Sequence, residues 1–169
     1  MSGLGVELVA DRPLRVAMVC LGNICRSPMA ASVATALVAE AGLADRVVFE
    51  SFGTAGYHRG EAADARAEAA LRRRGWSAAG HRARQLTAAD VSAADLVLCA
   101  DRGNLADVRR LAPGQGDKVR LLRSFDPASG TDQAVPDPWG GDDADFDRSL
   151  ALIEAACRGL VDQLAAEAG

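Results

Sequence analysis

Short, unbroken apolar runs alternate along this chain with longer stretches in which apolar residues recur every three or four positions. The runs are Leu14 to Cys20 (L-R-V-A-M-V-C), Arg46 to Phe52 (R-V-V-F-E-S-F), Asp95 to Ala100 (D-L-V-L-C-A) and Val119 to Leu122 (V-R-L-L). Each is rich in β-branched or aliphatic residues and reads as a buried strand. The periodic stretches read as helices: Ser27 to Ala41 before Gly42, Glu61 to Arg74 before Gly75, Arg102 to Leu111 before Pro113, and Asp145 to Ala166. In the last, Phe146, Leu150, Ile153, Cys157, Leu160, Val161 and Leu164 fall close to one helical face. Thr87-Ala-Ala-Asp90 has the form of a capping box opening one more helical turn, with Asp in place of Glu.

Strands separated by helices predict an α/β fold in three layers, a central four-stranded parallel sheet flanked by helices on both faces. Ligands of such sheets gather at the carboxyl ends of the strands. Residues 1–12 show no apolar period and read as a flexible N-terminal tail, leaving 13–169 as a single domain. Ser124 to Gly141 is long and irregular, with three prolines, the kind of segment that often carries function.

At 169 residues and 17.5 kDa the chain can bury a sizeable core. A net charge of −4 and a pI near 5.2 argue against a nucleic-acid partner, though a local basic rim is compatible with them. No basic-then-apolar leader opens the sequence and no apolar run approaches the length of a membrane span, so the expectation is a cytoplasmic protein with no membrane partner. The four cysteines, Cys20, Cys25, Cys99 and Cys157, have neither paired spacing nor clustered histidines around them. That pattern fits reduced thiols and predicts no metal and no cofactor.

The chemistry concentrates after the first strand, in C-L-G-N-I-C-R-S-P-M-A from Cys20 to Ala30. A glycine-containing loop leads into a helix with Pro28 in its first turn, where the missing donor costs nothing. Backbone N–H groups of Leu21, Gly22, Asn23, Ile24, Cys25 and Arg26 can turn inward as a nest, and the helix terminus adds its positive field. A phosphate or similar oxyanion is the natural guest. The same surroundings favour a thiolate at Cys20, a nucleophile, while Arg26 offers a planar fork suited to two phosphate oxygens. Ser27 can donate to the sulfur, and Gly22 and Asn23 tolerate positive φ in a tight loop. A phenolic leaving group needs a proton donor, for which Asp126 and Asp137, both followed by proline, are equal candidates on local chemistry.

The string from Cys20 to Ala30 resembles the signature of the low-molecular-weight protein tyrosine phosphatases, and the resemblance extends over almost the whole chain. It implies a protein tyrosine phosphatase, expected as a monomer, that acts on phosphotyrosine proteins through a phosphocysteine. It also selects Asp137, because in that family an Asp-Pro-aromatic motif shortly before the last helix supplies the general acid, and D-P-W-G-G-D-D-A-D-F fits it. Where the family often has two tyrosines this chain has Trp139 and Gly140; Trp139 can still stack on a substrate ring, but phosphorylation control there is lost. Tyr57 falls where the family places an aromatic on the opposite lip, and Ser51 and His81 where it has polar residues bracing the loop through Asn23. The resemblance further implies a reversible Cys20–Cys25 disulfide. His58, Arg59 and Asp142 are expected at the rim, and Asp101 in a structural role. Rival readings are an arginine phosphatase, which typically has threonine where Ile24 stands, an arsenate reductase, which needs two further relay cysteines, and a non-catalytic phosphotyrosine-binding module.

Overall fold

Four parallel strands, β1 (Leu14–Cys20), β2 (Val47–Gly53), β3 (Leu96–Cys99) and β4 (Val119–Leu121), make one sheet in the order β2-β1-β3-β4 in the computed structural model, which describes residues 4–169. The strand pleat sorts β1 between two cores: Val16, Met18 and Cys20 join one cluster of buried side chains, Ala17 and Val19 the other. Helices α1 (Arg26–Glu40), α2 (Ala65–Arg73) and α5 (Asp143–Ala168) close the first face; α3 (Ala88–Ala93) and α4 (Arg102–Leu111) close the second. The expected three-layer architecture is therefore the one observed.

Because β2 lies on one side of β1 and β3 on the other, the chain reverses direction across the sheet at β1, and a crevice opens beyond its carboxyl end. Cys20 ends β1, opposite Gly53 of β2. On the long helix α5, Phe146, Leu150, Ile153, Cys157, Leu160 and Leu164 are fully buried, so the helical spacing in the sequence marks its core face. Burying each such side chain is worth about 1.5–3 kcal/mol before chain entropy is counted. Gly159 lets α5 lie against the 3-10 turn at Leu122–Phe125: a Cβ there would stand 1.9 Å from the Phe125 carbonyl oxygen.

Three helix starts differ from the expectation, two of them through side-chain capping. The α2 helix starts at Ala65, not Glu61, because the Asp64 carboxylate accepts the Arg66 N–H at 2.8 Å and fixes Asp64 as N-cap. The last helix starts at Asp143 and not Asp145, since Asp142 and Asp145 exchange side-chain-to-backbone bonds of 3.0 Å in a capping box. The first helix begins one residue early, at Arg26. The Thr87–Asp90 capping box is present.

The N-terminal stretch is less loose than its composition suggests. Residues 4–12 form no helix or strand, yet Leu4 is buried and Val6 and Leu8 pack on the main core. Arg12 then clamps Asp95 with two 2.9 Å hydrogen bonds. That guanidinium holds the Asp95 carboxyl below the usual carboxylate range. The part of the expected tail at residues 1–3 lies outside the described residues. Among the described residues no helix is long and apolar enough to cross a membrane.

Candidate active site

The loop from Cys20 to Arg26 is held open from outside by its carbonyl oxygens. The Cys20 carbonyl accepts from the Thr54 N–H (2.9 Å), Leu21 from Ala55 (3.0 Å), Asn23 from His81 Nε2 (2.7 Å) and Ile24 from the Asp64 N–H (2.8 Å). In a planar trans peptide the C=O and the following N–H point in opposite directions. With those four carbonyls drawn outward, the N–H groups of Leu21, Gly22, Ile24 and Cys25 are turned toward the inside of the loop. The Asn23 φ of +61°, the single positive value at a non-glycine among the described residues, supplies the reversal the loop requires.

Asn23 is also the hub that fixes this shape. Fully buried, its Oδ1 accepts from the Arg84 N–H at 2.9 Å, while Nδ2 donates to Ser27 Oγ at 2.7 Å and Ser51 Oγ at 3.0 Å. Ser51 and His81, two weak signals in the sequence, thus both reach the loop through Asn23. The Ser27 hydroxyl has one hydrogen and two acceptors in reach, Cys20 Sγ at 3.0 Å and the Phe52 carbonyl at 3.3 Å. A sulfur carrying negative charge is the stronger claimant on it.

Arg26 is almost wholly buried. Its Nη1 donates to Asp101 Oδ2 at 2.7 Å and to the Val135 carbonyl at 2.9 Å, and its Nη2 lies 3.7 Å from Asp137 Oδ2. The other Asp101 oxygen caps α4 by accepting the Asn104 N–H at 2.8 Å. Asp101 is therefore more than structural: it aims the guanidinium from the end of β3. The sequence places it beyond a buried strand on the active edge of the sheet and suggests only a structural role; the bond to Arg26 is what the structure adds.

The segment bearing Asp137 is irregular but pinned. Three successive carbonyls, of Ala134, Val135 and Pro136, accept from Arg123 (2.6 Å), Arg26 (2.9 Å) and Ser149 (2.8 Å). Beyond the aspartate, Arg66 reaches the Gly141 carbonyl at 3.0 Å while stacking on the Phe146 ring. Asp137 and Arg26 face the same cavity of about 220 Å³, whose walls are Cys20, Ile24, Tyr57, His58 and Trp139. Asp126, the rival on local chemistry, instead accepts the Ala128 N–H at 2.9 Å in an ordinary turn. The other rim candidates do not line the cavity: Arg59 bonds Gln85, and Asp142 caps α5.

A family model for the low molecular weight phosphotyrosine protein phosphatases matches residues 15–169. The chain belongs to that family. It is 50% identical over 150 residues to the low molecular weight protein-tyrosine-phosphatase of Streptomyces coelicolor, covering 87% of this chain and 91% of that one. Among solved structures it resembles YfkJ from Bacillus subtilis, with a TM-score of 0.86 and 31% identity over 93% of this chain and 98% of that one. It also resembles Vibrio vulnificus Wzb in complex with benzylphosphonate, with a TM-score of 0.79 and 28% identity over 89% of this chain and 99% of that one.

The remaining thiols of this phosphatase are distinct from Cys20. All four cysteines are free and buried. Burial, reinforced by the Asp64 carboxylate, pushes the Cys25 thiol up, so it stays protonated in the same loop as Cys20. Burial likewise pushes the thiols of Cys99 and Cys157 up to about 12, as suits side chains of the core. Among the described residues no three His, Cys, Asp or Glu side chains converge as metal ligands.

Proposed function

We propose that this phosphatase hydrolyses phosphotyrosine in protein substrates through a cysteinyl-phosphate intermediate. The observation that carries the reading is the convergence of inward N–H groups and the Arg26 guanidinium around Cys20, at the base of a cavity walled by Tyr57 and Trp139. An aromatic ring fits between such walls, and a tetrahedral dianion fits the floor. Benzylphosphonate, with which the Vibrio vulnificus relative was solved, joins those same two parts.

In the first step the Cys20 thiolate attacks phosphorus in line. The S–P bond forms, the bond from phosphorus to the phenolic oxygen breaks, and the neutral carboxyl of Asp137 passes its proton to that oxygen. In the second, the Asp137 carboxylate takes a proton from water as the water oxygen attacks phosphorus; the S–P bond breaks and phosphate leaves. The Ser27 hydroxyl stabilises the departing sulfur. Loop N–H groups and Arg26 meet the equatorial oxygens of both transition states, where preorganised donors are worth the most. A cytoplasmic place of action accords with four unpaired thiols.

Ile24, an apolar wall residue, favours an aryl phosphate ester over the P–N-linked phosphoguanidine of phosphoarginine. An arsenate relay through further cysteines is disfavoured by the complete burial of Cys99 and Cys157. The test is rapid acid quench with a 32P-phosphotyrosine peptide. Wild type should release phosphate and carry label on protein, and Cys20→Ser should do neither while folding normally. Turnover surviving in Cys20→Ser would defeat the mechanism; equal turnover of phosphoarginine would defeat the substrate class.

A further inference from the structure

Beside the reaction cavity lies a second, more open groove of about 470 Å³ that shares two of its walls, Leu21 and Tyr57. Its far side is built by α4, through Arg110 and Leu111, and its floor includes Thr54 and Leu86. Leu21, Tyr57 and Leu111 are all large apolar side chains left in solvent, and Trp139 stands similarly exposed across the reaction cavity. Among the described residues only Val9 and Val48 are exposed in the same way elsewhere. Apolar exposure is thus gathered around one mouth, the mark of a surface that meets a partner.

Resting on the phosphotyrosine reading above, we propose that this groove receives an apolar side chain flanking the phosphotyrosine of a peptide substrate, and that Leu111 determines that preference. Continuity with the reaction cavity argues for the same substrate as occupant. A chain whose phosphotyrosine ring passes between Tyr57 and Trp139 leaves the cavity over Leu21 and Tyr57, directly onto the groove. At about 3.3 Å per residue in extended conformation, a residue within about three positions of the phosphotyrosine spans it. The charges on α4 do not favour a charged flank of either sign, because Asp107 and Arg110 are paired with each other. Gln85, which also lines the groove, is likewise engaged by Arg59 and the Thr54 carbonyl. With those polar groups engaged inside the protein, Leu21, Tyr57 and Leu111 supply the groove's exposed apolar surface.

The experiment compares kcat/KM for heptapeptides centred on phosphotyrosine, with leucine or aspartate placed at each of the three positions on either side, against a small aryl phosphate. Wild type should prefer leucine on one side by about tenfold, the scale of partly burying one leucine. Leu111→Asp should erase that preference while leaving the aryl phosphate within about twofold, and the milder Leu111→Ala should reduce it. The aryl phosphate rate reports any general damage, since that substrate does not reach α4. No leucine preference in wild type, a preference that survives Leu111→Asp, or an equal loss on the aryl phosphate would each overturn the proposal. A wild type that hydrolyses no phosphotyrosine peptide at all, yet turns over the aryl phosphate, would instead overturn the substrate class.

Discussion

On the floor of the cavity every polar atom of the Asn23 side chain has a partner and Arg26 is 3% exposed, whereas at its mouth Tyr57 and Trp139 are 76% and 60% exposed. The floor joins β1, α1, β2 and the segment before α3 in one hydrogen-bonded network; the rim stands on irregular chain. Phosphoryl transfer needs fixed donors around a defined oxyanion, which a buried network supplies. Accepting varied protein surfaces needs side chains free to adjust, which exposure supplies. Asp137 combines the two, with a side chain 45% exposed on a backbone whose three preceding carbonyls are all anchored. The proposed proton donor is accessible without being loosely placed.

If that division holds, Asp137→Asn should produce the largest rim effect, because the amide keeps the shape and removes the proton. We expect a loss of about 10²–10⁴-fold in kcat for phenyl phosphate and a much smaller one for an ester of an acidic phenol. Equal losses across a leaving-group series would remove Asp137 from the proton-transfer step. Stability should barely change, since the half-exposed carboxylate receives one backbone hydrogen bond, from the Trp139 N–H at 3.1 Å, and Arg26, 3.7 Å away, keeps its pairing with Asp101.

Asn23→Ala tests the floor, and it should damage fold and rate together. Alanine at φ +61° costs about 1–2 kcal/mol, and the orphaned Arg84 N–H adds a desolvation penalty of similar size. Urea unfolding should therefore show a loss of about 2–4 kcal/mol, accompanied by a drop in kcat. A variant as stable as wild type would mean that the loop holds its shape without its hub.

At the rim, Trp139→Ala should raise KM for phosphotyrosine peptides by about tenfold or less, with unfolding unchanged. Loss of stability on that substitution would show that rim and floor are one cooperative unit and not two.

The same division explains what could be read from the sequence. Buried parallel strands advertise themselves as apolar runs and α5 by its helical period, so the layers and the Cys20–Arg26 loop were legible. Asn23, Ser51 and His81 could be joined as a network only through the family resemblance, because polar residues far apart in the chain carry no local sign of meeting. Asp101 was undervalued for the same reason: its bond to Arg26 spans 75 positions. Asp137 could be separated from Asp126 only by family resemblance, since both are Asp-Pro pairs and the anchoring of three carbonyls is a tertiary fact. The early residues misled in the opposite sense: Leu4, Val6 and Leu8 show no period, yet dock.

His81 offers the finest test. Its Nε2 lies 2.7 Å from the Asn23 carbonyl, which only accepts, so that nitrogen carries a hydrogen. Burial lowers the His81 pKa; the Asn23 bond opposes this, and Arg84 and Arg82 lower it further, leaving it below the ordinary 6.5. As pH falls from 6.5 toward that depressed folded value, the unfolded chain binds the proton first and folding stability declines. Above 6.5 the contribution is fully present. His81→Gln removes the titration while keeping a donor for Asn23, so the difference in unfolding free energy between wild type and variant should shrink from pH 7.5 to pH 5. Carboxylates that titrate in both proteins cancel in that difference. Both neutral and protonated imidazole donate from Nε2, so the loop stays braced and the acid side of the kcat profile should not move. A shift there would mean that the floor responds to the charge of His81 and not merely to its hydrogen bond.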